Sequence, residues 1–138
     1  MVGVDYSPAS IQLCRKRLEV LQSEEVHIGD MAFEMWDVLK DAPLEEWGGG
    51  FDVVLDKGTF DAVSLSGEGG EGYREKVEPL VRAGGWFVVT SCNWTEEELG
   101  MWFWGGALVA RGRVEYPVFR FGGGWGQSVA TVCCRKEG

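Results

Sequence analysis

The chain has 138 residues, 21 of them Gly and seven Trp, and a formal net charge of −9. No apolar run approaches the roughly 18 residues of a membrane span, and no basic stretch precedes an apolar one at the start. The acidic balance argues against nucleic acid as the main partner, because that affinity rests on Lys and Arg neutralising phosphates. These totals predict one cytoplasmic globular domain over residues 1–138, large enough to bury a core without staples. Its four cysteines, Cys14, Cys92, Cys133 and Cys134, read as reduced thiols, and their spacing rejects a zinc site.

In chain order, a short apolar run over residues 1–4 stops at Asp5, and Ser7-Pro8 supplies an N-cap with Pro at the first helical position. Ile11, Cys14, Leu18 and Leu21 then recur as one apolar stripe. Residues 31–36 alternate and read as a second strand, ending at Asp37. A polar connection through Pro43 and Gly48-Gly49-Gly50 leads to Val53-Val54-Leu55, which reads as a buried strand of a parallel sheet, stopping at Asp56. The glycine-rich residues 66–72 lack the spacing of a dinucleotide fingerprint and read as a flexible connection.

Tyr73, Val77, Leu80 and Val81 share a helix face, with Pro79 kinking that helix or restarting its last turn. Gly84-Gly85 ends it, and residues 86–90 form a fourth strand. Thr95 with Glu98 is a capping box opening a helix that carries Leu99, Trp102 and Phe103. Residues 108–118 and 128–134 read as an antiparallel hairpin around a Gly-rich loop flanked by Phe119, Phe121 and Trp125. Trp36, Trp86, Trp102 and Trp104 are expected in the core.

Strands alternating with helices and closed by a hairpin predict an α/β sandwich with a mostly parallel sheet. Parallel strands bring Asp5, Asp37 and Asp56 to one edge, the edge at which such sheets bind ligands. One carboxylate there can accept from both hydroxyls of a ribose, and another from the exocyclic amine of a purine. The alternative for each is a loop residue capping its own backbone. Thr59 and Phe60 follow Asp56, and Asn93 and Trp94 follow the fourth strand, so all four are expected beside a substrate. For Trp94 the favoured reading is a staple ahead of the capped helix, with a wall of the substrate channel as the alternative.

Four stretches carry a resemblance: Gly3-Val4-Asp5-Tyr6-Ser7-Pro8, Asp56-Lys57-Gly58-Thr59-Phe60-Asp61-Ala62, Thr90-Ser91-Cys92-Asn93-Trp94-Thr95, and the tail from Phe121-Gly122-Gly123 through Ser128-Val129-Ala130. Together they resemble the S-adenosyl-L-methionine-dependent protein-lysine methyltransferases that act on translation elongation factor 1-alpha. The resemblance implies a Rossmann-like class I methyltransferase sandwich, mostly parallel, with a C-terminal antiparallel hairpin. It implies that Asp5 grips the cofactor's ribose, Tyr6 lies against its adenine, Asp37 and Val38 meet the adenine edge, and Asp56 sits beside the transferring methyl group. Asp56, or a backbone carbonyl of residues 57–60, then aligns the lysine amine, and Asp56→Ala is expected to abolish transfer with the fold intact.

One departure stands out. The family opens with a strand and a glycine-rich turn around the methionine part of the cofactor, and the first residue here already lies in what should be the second strand. The first strand and helix are therefore expected to be missing, and the chain by itself to hold cofactor poorly. A dinucleotide-dependent oxidoreductase and an inactive remnant that only binds protein are the alternatives.

Overall fold

A computed structural model of the chain describes residues 1–24, 26–66, 70–126 and 128–138, which fall into two compact units, Met1–Ala42 and Pro43–Gly138. Within the described residues no helix is long and apolar enough to cross a membrane.

The first unit is strand, helix, strand. β1 (Val2–Asp5) and β2 (Ala32–Met35) pair in parallel, with Asp5 opposite Met35. Between them α1 (Pro8–Ser23) starts as Ser7-Pro8 predicts: the Ser10 amide donates to the Ser7 hydroxyl oxygen at 3.4 Å, and Pro8 fills the first turn. The stripe Ile11, Cys14, Leu18 and Leu21 is its less exposed face, with Ile11 fully buried. Trp36 is buried after β2, its indole N–H donating to the Ala42 carbonyl at 3.0 Å.

The second unit holds a four-stranded sheet in the order β3 (Phe51–Lys57), β4 (Val81–Ser91), β8 (Ala130–Lys136), β5 (Leu108–Arg113). β3 and β4 are parallel, whereas β8 runs antiparallel to both its neighbours, as the closing hairpin requires. The 3-10 turn Glu45–Trp47 precedes β3. The connection between β5 and β8 adds a small ribbon, β6 (Phe119–Phe121) with β7 (Gly124–Gly126). The side chains of Phe119, Phe121 and Trp125, and the middle of the connection at residues 66–72, lie outside the described residues.

Three expectations change. β3 is parallel but stands at the sheet's edge, so Leu55 is 72% exposed rather than buried. The helix begun at Tyr73 is short: α3 (Tyr73–Val77) passes into a 3-10 turn, Glu78–Leu80, at Pro79. Proline cannot continue an α-helix, and Val81 is already in β4, paired with Phe51. Trp104, read as core, is 85% exposed just beyond α4 (Glu96–Trp102).

The core of this unit is aromatic. Phe60, on α2 (Thr59–Ser64), lies at ring-centroid distances of 5.3 Å from Tyr73, 5.5 Å from Trp102 and 5.3 Å from Phe103. Phe87 continues the cluster at 5.1 Å from Phe103, over fully buried Leu99 and Val89.

Candidate functional site

In the first unit the two acidic tips lie side by side. Asp5 ends β1, Asp37 follows β2, and the Trp36 amide donates to the Asp5 carbonyl at 3.0 Å, so both carboxylates leave at the same end of the parallel pair. Asp5 Oδ1 accepts the Ser7 amide at 2.7 Å, an Asx turn that fixes its rotamer. Tyr6 beside it is exposed, and Val38 is half-buried. Asp37 accepts the Leu39 amide at 2.9 Å and pairs with Lys40 at 3.3 Å. The Leu39 N–H, helped by Lys40, holds the Asp37 carboxyl below the usual aspartate range.

In the second unit Asp56 ends the central run of β3 and turns inward. Gly58, at φ 87°, makes the left-handed corner that starts α2 directly after the strand. That corner aims the first amides of the helix back at the carboxylate: Asp56 Oδ1 accepts from the amides of Thr59 at 3.0 Å and Phe60 at 3.2 Å. Asp56 Oδ2 accepts from the Phe60 amide at 3.2 Å and the Tyr73 hydroxyl at 2.5 Å. Asp56 is 6% exposed, and both of its oxygens are occupied by protein donors. Phe60 is 1% exposed; its ring belongs to the core and not to a substrate wall, because the helix face that carries it packs on α4 and Tyr73. Thr59 is exposed at the start of α2.

Burial raises the Asp56 carboxyl above its ordinary value of 3.8, while Tyr73 and the two amides pull it down and Asp61 pushes it up. Tyr73 is raised by its own burial and then by the charge of Asp56. A carboxyl raised by folding contributes stability that is fully present below the unfolded pKa and is lost as pH rises through the folded one. Asp56→Asn, a neutral isostere, lacks that dependence. The variant is therefore expected to gain stability relative to the parent as pH rises through and above the ordinary aspartate range. Urea midpoints of both proteins across that range check it; parallel curves would contradict the direction.

The residues after β4 form the other wall. Ser91, Cys92, Asn93 and Trp94 open a cleft of about 630 Å³, closed on the far side by Val118 and by Ser128 to Ala130. Asn93 and Cys92 are exposed, whereas Trp94 is held: its indole N–H donates to the Ser64 hydroxyl at 2.8 Å, and its ring lies 5.5 Å from Trp102. Trp94 therefore packs on the capped helix, and it also lines the cleft. The capping box itself is present, with the Glu98 amide donating to Thr95 Oγ1 at 3.2 Å and the Thr95 amide to Glu98 Oε2 at 2.8 Å.

Sequence reasoning passed over Tyr73, Asp61 and Ser91, all buried and polar at this site. The available signal was the pair of carboxylates Asp56 and Asp61, five positions apart, each needing a partner if buried.

Residues 1–123 match the family described as Methyltransferase domain, a match that runs across both compact units. Protein-lysine N-methyltransferase efm4 of Schizosaccharomyces pombe is 36% identical over 140 residues, covering 96% of this chain and 56% of that protein. EEF1A lysine methyltransferase 2 of Homo sapiens is 34% identical over 140 residues, covering 99% of this chain and 56% of that protein. The chain thus spans a little over half the length of the curated relatives it matches. Among solved structures, the N-methyltransferase NodS from Bradyrhizobium japonicum WM9 in complex with S-adenosyl-L-homocysteine has a TM-score of 0.67 at 14% identity, covering 98% of this chain and 65% of that one. A structure from echinomycin biosynthesis has a TM-score of 0.68 at 16% identity, covering 99% of this chain and 66% of that one. These likenesses identify the fold.

Proposed function

The chain belongs to the methyltransferase domain family, and on that premise we propose that it is an S-adenosyl-L-methionine-dependent protein-lysine N-methyltransferase acting on a lysine of translation elongation factor 1-alpha. The observation that supports this most is likeness along nearly the whole chain to relatives named for that reaction.

The residues of the first unit fit an adenosyl group. Asp5 offers a fixed carboxylate for two ribose hydroxyls, Tyr6 an exposed ring for the adenine, and Asp37 with Val38 an acceptor and an apolar edge just beyond the neighbouring strand. Asp37 stays ionised at neutral pH, which suits an acceptor. When bound, the cofactor supplies a sulfonium methyl that needs no further activation.

The rest is positioning. A lysine amine has a pKa near 10.4, so presenting it neutral at pH 7 costs about 4.6 kcal/mol, which desolvation in a closed site lowers. Asn93 is the acceptor for its hydrogens, with Trp94 as a wall of the cleft. Asp56 acts by fixing the start of α2, because its own oxygens are engaged by the Thr59 and Phe60 amides and by Tyr73.

In a thermal-shift comparison at millimolar ligand, S-adenosylhomocysteine is expected to raise the melting temperature and NAD to leave it unchanged. Asp5→Ala should remove the shift. Even a site with a dissociation constant of about 100 µM gives roughly 1.4 kcal/mol at 1 mM. In parallel, elongation factor 1-alpha incubated with the chain and S-adenosyl-L-methionine should gain methyl mass on one lysine. A shift with NAD alone would favour the oxidoreductase alternative.

A further inference from the structure

α2 carries a second buried carboxylate, five positions after Asp56, with a separate set of partners. Asp61 is 7% exposed; its Oδ1 accepts the Ser91 hydroxyl, and its Oδ2 accepts the Cys92 amide at 3.0 Å. The Ser91 oxygen in turn accepts the amides of Asn93 at 3.0 Å and Trp94 at 2.9 Å. Three successive loop amides therefore converge on one carboxylate–hydroxyl pair. One turn further along α2, Ser64 accepts the Trp94 indole.

We infer that Asp61 is a positioning residue that fixes Cys92, Asn93 and Trp94 as the substrate wall of the cleft, an assignment that rests on the lysine methyltransferase reading. The helix itself does not need this carboxylate to be placed. Phe60 already seats α2 in the core, and Asp56 already caps its first turn. Among the described residues, the Asp61 side chain accepts from Ser91, the last residue of β4, and from Cys92, the first residue of the loop beyond it. Burying an ionisable carboxylate is costly unless its geometry is used, and here it organises a segment with little hydrogen bonding of its own. The capping box at Thr95 holds the far end of the same segment, so the wall is clamped at both ends. Asn93 has its amide turned inward and its side chain outward, the arrangement an acceptor for an incoming amine requires.

Asp61→Asn keeps the size but turns a donor toward either the Ser91 hydroxyl or the Cys92 amide. Hydrogen exchange of the Cys92, Asn93 and Trp94 amides is expected to quicken about tenfold or more, with the amides of residues 86–90 unchanged. The KM for elongation factor 1-alpha should rise about tenfold, while affinity for S-adenosylhomocysteine stays within about twofold. Ser64→Ala, which removes the acceptor for the Trp94 indole together with the weak bond from the Ser64 hydroxyl to the Asp61 carbonyl at 3.3 Å, should raise the same KM about threefold and serves if the first variant folds poorly. Equal acceleration through β4 and the loop would mark Asp61 as a general staple and overturn the assignment, as would an unchanged KM in both variants. Absence of methyl transfer by the parent chain would sink the methyltransferase reading instead, and the exchange pattern would still decide whether Asp61 holds the wall.

Discussion

Asp56→Ala is expected to lower the free energy of unfolding by about 2–4 kcal/mol, enough to remove a large share of the stability of an ordinary domain. The substitution strips the acceptor from the Phe60 amide and the Tyr73 hydroxyl, both buried, and from the more exposed Thr59 amide. A buried donor left unsatisfied costs about 1–3 kcal/mol, and relief of the desolvated charge offsets part of the sum. Urea unfolding of the parent, Asp56→Ala, Asp56→Asn and Tyr73→Phe would resolve it. An alanine variant within about 0.5 kcal/mol of the parent would show that the cap contributes little and would return Asp56 to the chemistry. Alanine is thus the wrong probe of catalysis at this position. The sequence-based expectation that it abolishes transfer with the fold intact separates two effects that the geometry joins. Asn, which keeps an acceptor for the helix amides and offers a donor to Tyr73, is the informative variant.

Phe60→Ala should cost more, about 3–5 kcal/mol. Its ring is 1% exposed and sits between Tyr73, Trp102 and Phe103, so its removal leaves a cavity that three ring contacts line. The loss should appear as a lower urea midpoint together with a weakened near-ultraviolet signal from the surrounding aromatics. Trp104→Ala, at an exposed site, should stay within about 0.5 kcal/mol and serves as the control. If the two variants unfold alike, the aromatic cluster is not the centre of this unit.

Local chemistry made much of this chain readable. The Ser7-Pro8 start, the stripe on α1 and the Thr95–Glu98 box each act within a few residues, and each is found where its pattern places it. The closing antiparallel pair was legible too, because two strands around a glycine-rich loop have few other solutions. What stayed hidden depends on distant partners. The apolar run Val53-Val54-Leu55 cannot say whether it lies inside a sheet or at its edge, since both need the same β-branched residues. Whether Asp56 faces a ligand or its own helix turns on Gly58 and on a tyrosine 17 positions later. Phe60 and Trp104 show the same limit in opposite directions: apolar character is visible in the sequence, but which side of an element it takes is not.

The strand order β3-β4-β8-β5 carries a consequence for how this unit is made. β8 (Ala130–Lys136) follows all the other described strands in sequence yet is interior in the sheet, hydrogen-bonded to β4 on one side and β5 on the other. A ribosome therefore releases β4 and β5 well before the piece that joins them, and until then each shows an open rim to its surroundings. Nascent chains stalled just short of residue 130 should be protease-sensitive and chaperone-bound, becoming resistant once the final strand slots in.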